Sequence, residues 1–502
     1  MQAPLFSAPE TAASDPGVPV RPLYGGKRWI ELPGPDQLSF VARCTNDLVP
    51  QDAFVRLLDE ILDALDFSAF EAAYPGGGHP AFHPRFIGKI VIYGMCMRVL
   101  SARELSRRIE RDTHFMWLAR EQRVDHEVFS KFRRRFKTQL RDLFQKTVSL
   151  GVRLGLVSFG CIAIDGTKIA AAAKRRALNQ ADLEKAIAKL DERIAQMLTE
   201  AEALDIAETS QFGALRGDEV PRALSTAQAR REKLLALLPL AAEHPKQRLS
   251  PTDPEAPVQK TQDGKRPGYN AQIAVDEQVG LIVAEAVTDE QNDTQQFAPM
   301  AKQVIENLGQ IPATVVADTG YHSAEALEYL AGQPEVNAYI KQSPATPGQY
   351  AQDAFAYDAD SDCYTCPTGR CLVFKNTTTL HDKTCRVYRS TKSCADCPKR
   401  ADCFRGKSPY RKLTVLPHSR QALAMRQRLA TDAGQQALQT RSATVERTFG
   451  TIKAHLGLRQ FLARGLHNAQ AQFTVAALAV NVLKLAGHVA VHGWAPAPAV
   501  TE

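Results

Sequence analysis

The chain lacks the marks of an exported protein. Met1 Gln2 Ala3 Pro4 Leu5 Phe6 carry neither the charged start nor the apolar core of a signal peptide, so a cytoplasmic location is the expectation. An uninterrupted apolar run of membrane length is missing as well. Phe473 to Val491 is broken by Asn481, Lys484 and His488, so it reads as a buried helix and no membrane partner is expected. Most of the chain is poor in cysteine, because seven of the ten cysteines fall between Cys363 and Cys403. In a reducing compartment that crowding points to a metal and away from disulfides. A large charge excess is absent too, the formal balance being only +7.

What is present is a soluble globular composition, 44% hydrophobic over 502 residues. That length exceeds one ordinary core, and roughly two to four structural units are expected. Lys and Arg cluster at Arg133 to Arg135, Lys174 to Arg176, Lys399 to Arg411 and Arg441 to Arg464. Clustered basic charge favours a polyanionic partner, with a solvated face as the alternative for any single cluster.

Residues 1–35, rich in Ala, Pro and Ser without periodicity, read as a flexible tail. Residues 36–150 read as an all-helical N-terminal domain. Val55, Leu58, Ile61, Leu62 and Leu65 share one helical face, His83 Pro84 opens a second helix, and Ala102 to Ile109 forms a third. Asp125 then caps a basic helix carrying Arg133 and Arg134. A basic helix after several short ones suits docking on phosphates or in a groove, which makes these arginines candidate DNA contacts.

The run Cys161 to Lys168 predicts a strand that delivers Asp165 at its end, and Ala313 to Ala317 predicts another that ends at Asp318. Between them, residues 177–258 form a helical insertion, with Leu183, Ile187, Leu190, Ile194 and Leu198 spaced by three or four and a break near Gly213 to Pro221. Tyr269 to Asp276 and Leu281 to Val287 read as an antiparallel hairpin. A helix from Asp293 to Leu308 capped by that acid, a helix Ser323 to Leu330 and a strand Val336 to Lys341 complete a mixed α/β order. A short helix near Ser419 to Ala430 precedes a final helical region that carries Glu446. The expected fold is an RNase H-like mixed sheet built from 151–345 and 432–490, in which neighbouring parallel strands bring Asp165 and Asp318 together. A cysteine-rich insertion occupies 346–410.

An acid after an apolar strand means little by itself, since acids commonly end strands in turns. Three carboxylates on two strands and a helix suit hard divalent cations whose remaining sites take phosphate oxygens. Two such ions about 4 Å apart activate water or a 3′-hydroxyl and steady the leaving oxygen, which implies phosphodiester hydrolysis and strand transfer.

Ile164 Asp165 Gly166 Thr167, Gly268 Tyr269 Asn270 Ala271 Gln272, Ala317 Asp318 Thr319 Gly320 Tyr321, and Val445 Glu446 Arg447 Thr448 Phe449 Gly450 with Lys453 resemble, in that order, the motifs of bacterial insertion-sequence DDE transposases. The likeness spans roughly residues 45–487 and extends more weakly to His83 Pro84, Asp125 His126 and Phe132 Arg133. It implies that Asp165, Asp318 and Glu446 are the catalytic triad and hold two Mg²⁺ or Mn²⁺ ions. It also implies that Lys453, two helical turns beyond Glu446 on the same face, contacts DNA near the cut. Members commonly carry an arginine four residues before the glutamate and a tyrosine seven before it. Here Ser442 and Gln439 stand at those places, leaving Arg441 as the candidate phosphate clamp and Arg447 as a further DNA contact.

Tyr269, Asn270 and Gln272 belong to a strand expected beside Asp165, with Asn270 and Gln272 on one face. They line the DNA, orient a metal-bound water, or are ordinary edge-strand polarity. The pairs Cys363-x2-Cys366 and Cys394-x2-Cys397 support a structural zinc. The resemblance favours Cys366, Cys394, Cys397 and Cys403 as its ligands, leaving Cys363, Cys371 and Cys385 extra. His381 as an eighth ligand would allow a second zinc, and an iron–sulfur cluster is the alternative. The implied activity is that of a transposase which binds element ends, cuts and joins DNA, and acts as a homodimer on DNA. The alternatives are an inactive DNA-binding regulator on the same scaffold and a plain nuclease.

Overall fold

The computed structural model describes residues 44–74, 81–174, 177–212, 222–243, 248–261, 264–342, 350, 352–380, 383–404 and 406–496. The expected tail, the break at 213–221 and His381 lie outside these residues.

The central sheet has six strands: β1 (Cys161–Ala170), β2 (Val258–Thr261), β3 (Gly264–Asp276), β4 (Ile282–Thr288), β5 (Thr314–Ala317) and β6 (Ala338–Ile340). β4, β3 and β1 run antiparallel in that order, and β1, β5 and β6 continue the sheet in parallel. β2 pairs with the first residues of β3. Ile162, Ala163, Ile164, Val315, Val316 and Ala317 are buried, as a strand covered on both faces requires. The register pairs Cys161 with Thr314 and Ile164 with Ala317, so Asp165 and Asp318 are the next residues in line. One expectation is corrected here, because β1 does not end at Asp165. Pairing with β5 stops at Ile164, while pairing with β3 continues to Ala170, which leaves Asp165 in mid-strand beside an open edge.

Within 177–258, helices Gln180–Phe212, Arg222–Leu235 and Leu238–Glu243 are present. The first two pack as a hairpin. Leu183, Ile187, Leu234, Leu237, Ala241 and Leu249 form a small core of their own, closed by backbone bonds between Leu178 and Leu249. Along the apolar stripe Leu183 and Ile187 are buried at this base, and Leu198 is 43% exposed.

The N-terminal helices are Phe54–Asp63, Pro84–Cys96, Ala102–Arg111, Thr113–Leu118, His126–Arg135 and Lys137–Arg153, with a single turn at Ser68–Ala72. Pro84 starts its helix in the first turn, where a missing N–H costs nothing, and the His83 ring accepts from Arg85 N at 3.2 Å. These helices share one continuous core with the sheet, so the boundary drawn at residue 150 does not separate two cores. The reason is helix Leu466–His492, which packs against Phe54–Asp63, Pro84–Cys96, Lys137–Arg153 and β4. It is long and apolar enough to cross a membrane, yet 72% of its apolar window is buried inside the protein. Buried Asn481 ties it to the sheet, accepting from Ile282 N and donating to Ile282 O, both at 2.9 Å, and donating to Thr147 Oγ1 at 3.1 Å.

The cysteine-rich segment forms a second, antiparallel sheet of β7 (Ala356–Asp358), β8 (Cys363–Thr365), β9 (Cys371–Leu380), β10 (Lys383–Ser390) and β11 (Lys412–Val415). Its core is Phe355, Tyr364, Leu372, Tyr388 and Leu413, so the unit runs a few residues past the expected limit at 410.

Candidate active site

Asp165 and Asp318 meet around one cation. Arg441 Nη2 lies 2.7 Å from Asp165 Oδ1 and 3.6 Å from Asp318 Oδ2, at ion-pair distance but outside hydrogen-bond geometry. Arg441 Nε donates to Ile164 O at 3.3 Å, which anchors the guanidinium on β1. Each aspartate also accepts a backbone N–H, Asp165 from Gly166 at 2.8 Å and Asp318 from Gly320 at 2.9 Å. Burial pushes the Asp165 carboxyl up to about 6; the Arg441 charge opposes that, and the Asp318 and Asp293 carboxylates add to it. Carboxylates held this close repel one another, and the arrangement suits a positive charge between them.

Arg441 and Glu446 belong to helix Asp432–Gly450, capped by Thr431 and packed across β1, β3 and β5. Glu446 is exposed and accepts from Ser442 Oγ at 2.8 Å, one turn back. Among the described residues no three His, Cys, Asp or Glu side chains stand as a metal-holding group, and Glu446 therefore does not complete one with the aspartates. The expected α-helical path from Glu446 to Lys453 is also corrected. The helix gives way to a π turn at Thr451–His455 that contains Lys453, a wider turn than the α-helix expected there. Lys453 Nζ donates to Thr167 Oγ1, two residues along β1 from Asp165. Burial lowers the Lys453 pKa, and the Asp165 charge opposes that shift.

A further acid, Asp293, stands on the other side of β1. Strand alternation turns Asp165 and Thr167 to the face that meets Arg441 and Lys453, and Gly166 and Lys168 to the opposite face. There Asp293 Oδ1 accepts from Asn270 Nδ2 at 2.6 Å and Gln272 Nε2 at 2.7 Å, with Lys168 Nζ at 3.6 Å. Sequence reasoning took Asp293 for the cap of a helix, but that helix begins only at Phe297. The signal was two amides on one face of a strand, a pair that needs an acceptor when buried.

Asn270 and Gln272 are fully buried on an interior strand and serve Asp293; they neither face DNA nor lie on an edge. Tyr269 is also fully buried, and its hydroxyl donates to Asp253 Oδ1 at 2.9 Å. The expectation that these three line DNA is corrected, since burial removes them from any surface. Arg133 is corrected likewise. One helical turn beyond Phe129, it points inward, its Nη1 donates to Leu100 O at 2.7 Å, and burial pushes its pKa down to about 10. Arg134 and Arg447 are exposed.

Cys366, Cys394, Cys397 and Cys403 line one small cavity of about 20 Å³ beside the second sheet. Cys366 and Cys397 lie 3.1 and 3.9 Å from Thr368 Oγ1. Burial raises the Cys403 pKa, Arg411 opposes it, and the charges of Cys394, Cys366 and Cys397 add to it. The four cysteines thus line one cavity, but among the described residues they do not stand as a metal-holding group. Cys363 and Cys371 form a separate pair across β8 and β9, and Cys385 is buried on β10.

Residues 365–486 match the family model of a Transposase DDE domain, and residues 43–135 match that of a Transposase domain, DUF772. The first match includes β9, β10 and β11 of the cysteine-rich sheet, Arg441, Glu446 and Lys453; the second covers the helices from Thr45 through His126–Arg135. No match to a curated protein is found.

Proposed function

From the premise that these two matches support, an insertion-sequence DDE transposase acting on DNA, we propose that the chain binds the ends of its element, cleaves phosphodiester bonds there and joins them to target DNA. The observation that carries this reading is the single guanidinium spanning Asp165 and Asp318 at 2.7 and 3.6 Å. The strand order, antiparallel then parallel around β1, supports an RNase H-like core. In this reading Asp165, Asp318 and Glu446 hold Mg²⁺ or Mn²⁺, two ions per site. Bound there, such ions supply an activated hydroxyl and charge stabilisation for the leaving oxygen.

The chain's own residues do the rest. Glu446 turns from Ser442 towards the aspartates as helix Asp432–Gly450 shifts. Arg441 then passes from the carboxylates to a backbone phosphate, for which its planar donor fork is suited. Lys453, already beside Thr167, holds the strand near the cut. Arg134 and Arg447 meet phosphates further out. Cys366, Cys394, Cys397 and Cys403 are the residues that would hold a structural zinc, which would fix the second sheet. Two protomers act together on paired ends.

The test is a supercoiled plasmid bearing the cognate ends with Mg²⁺. Wild-type protein yields cleaved and joined products and Asp318→Ala yields none; equal products from both would discard the reading. A regulator without catalysis is the second reading, favoured by Ser442 and Gln439 at the positions of the usual arginine and tyrosine. Sequence-specific DNA binding that ignores Mn²⁺ and survives Asp165→Asn would select it. Nicked or linear DNA without joined ends would select a plain nuclease.

A further inference from the structure

We propose that Asp293 is a positioning residue of the acidic centre: it braces β1 from behind and fixes the spacing between the segments that carry Asp165 and Asp318. This rests on reading those two aspartates as the metal-binding pair.

Asp293 sits in the turn after β4, and its carboxylate reaches three structural pieces. From β1 comes Lys168, whose Nζ lies 3.6 Å from Oδ1. From β3 come Asn270 and Gln272, donating at 2.6 and 2.7 Å. Gln272 carries the link onward, because its Oε1 accepts from the hydroxyl of fully buried Tyr321, three residues after Asp318. One carboxylate thus ties the strand of Asp165 to the turn of Asp318, through half-buried Lys168 on one side and fully buried Gln272 and Tyr321 on the other.

Close packing points the same way. A Cβ at Gly166 would come within 2.7 Å of Asp293 Oδ1 and 2.4 Å of Gln272 Nε2. At Gly320 it would meet Asp318 Oδ1 at 3.1 Å and Asp293 Oδ2 at 3.2 Å. The glycines that follow the two metal-type aspartates are therefore the places where Asp293 is seated. A residue that orients ligands without touching the ion typically changes metal affinity by about 10- to 100-fold when removed. A brace that serves only folding changes the melting temperature and leaves affinity alone.

The experiment uses the full chain, as wild type, Asp293→Ala, Asp293→Glu and Asp165→Asn. Mn²⁺ is titrated and followed by the free-ion electron paramagnetic resonance signal. Melting and amide hydrogen exchange of residues 161–170 and 314–322 are read alongside. Asp293→Ala is expected to weaken Mn²⁺ binding at least tenfold and to speed exchange in both segments. Its cleavage of plasmid is partly recovered at high Mn²⁺, unlike that of Asp165→Asn. Asp293→Glu, too long for the gap between Gly166 and Gly320, shows the same defects. Wild-type affinity and exchange in Asp293→Ala, with only a lowered melting temperature, would overturn the proposal. If Asp165→Asn binds Mn²⁺ as wild type does, it is the metal-pair reading that fails. Exchange then still decides the brace: faster in both segments supports it, unchanged overturns it.

Discussion

The two places where this chain gathers metal-type ligands differ in how they are held. Around Asp165 and Asp318 the spacing comes from parallel strand register, a cation of the protein's own already lies between the acids, and a buried polar layer stands behind. At the cysteine cavity the thiols come from turns and a four-residue helix beside a small sheet, and burial, with the three neighbouring cysteines adding to it, raises the pKa of Cys403. A sheet can fix two acids before an ion arrives, whereas loops rely on the ion to gather their ligands. Metal removal is therefore expected to disable the first place without unfolding it and to unfold the second.

The largest effects probe that contrast directly. Asp165→Ala or Asp318→Ala is expected to lower plasmid cleavage on the order of 10³-fold or more, since several kcal/mol of charge stabilisation go with the ion, while melting changes little. Cys394→Ser combined with Cys397→Ser does the reverse. It releases zinc, measured by mass spectrometry of metal content, and exposes residues 350–415 to protease. Retention of zinc by the double variant would remove the contrast.

Next in size is Arg441→Gln. Removing the internal cation leaves two close carboxylates uncompensated, so Mn²⁺ affinity of the DNA-free protein rises, by roughly tenfold or about 1.4 kcal/mol. Plasmid cleavage falls, because the phosphate clamp is gone. Unchanged Mn²⁺ affinity would show that the guanidinium does not compete with the ion.

The pH dependence follows from Asp165. Its folded pKa, about 6, exceeds the ordinary value of 3.8, so the folded protein holds the proton more tightly than the unfolded chain. Its contribution to stability is fully present below about pH 4 and is lost as pH rises through about 6. Melting of the metal-free protein should lose that component across this window, and Asp165→Asn should flatten it. Mn²⁺ affinity should climb over the same interval.

Smallest is Tyr269→Phe. It removes one buried hydrogen bond to Asp253 and costs about 1 kcal/mol in thermal or urea unfolding. DNA affinity should not change, which separates the buried layer from the DNA-facing side.

What the sequence made legible was whatever depends on neighbours along the chain. The apolar runs before Asp165 and Asp318, the caps at His83 and Asp125 and the hairpin of β3 and β4 all follow from local pattern. The misses need partners distant in sequence. Arg133 looked like part of a surface run, but its place one turn after Phe129 turns it inward. Asp293 looked like a helix cap until Asn270 and Gln272 were found to claim its carboxylate. The single core joining the N-terminal helices to the sheet depends on helix Leu466–His492, which lies more than 300 residues from the helices it covers. The π turn that holds Lys453 has no simple sequence signature, and the contact of that lysine with Thr167 on β1 is distant in sequence.

The central claim is that Asp165 and Asp318 form one cation site on a preformed sheet. Its most direct test is Mn²⁺ titration of the folded, DNA-free protein, read by electron paramagnetic resonance, for wild type and for Asp165→Asn with Asp318→Asn. The account predicts saturable binding in the wild type that disappears in the double variant while melting stays within a few degrees. Binding that persists undiminished in the double variant would contradict it.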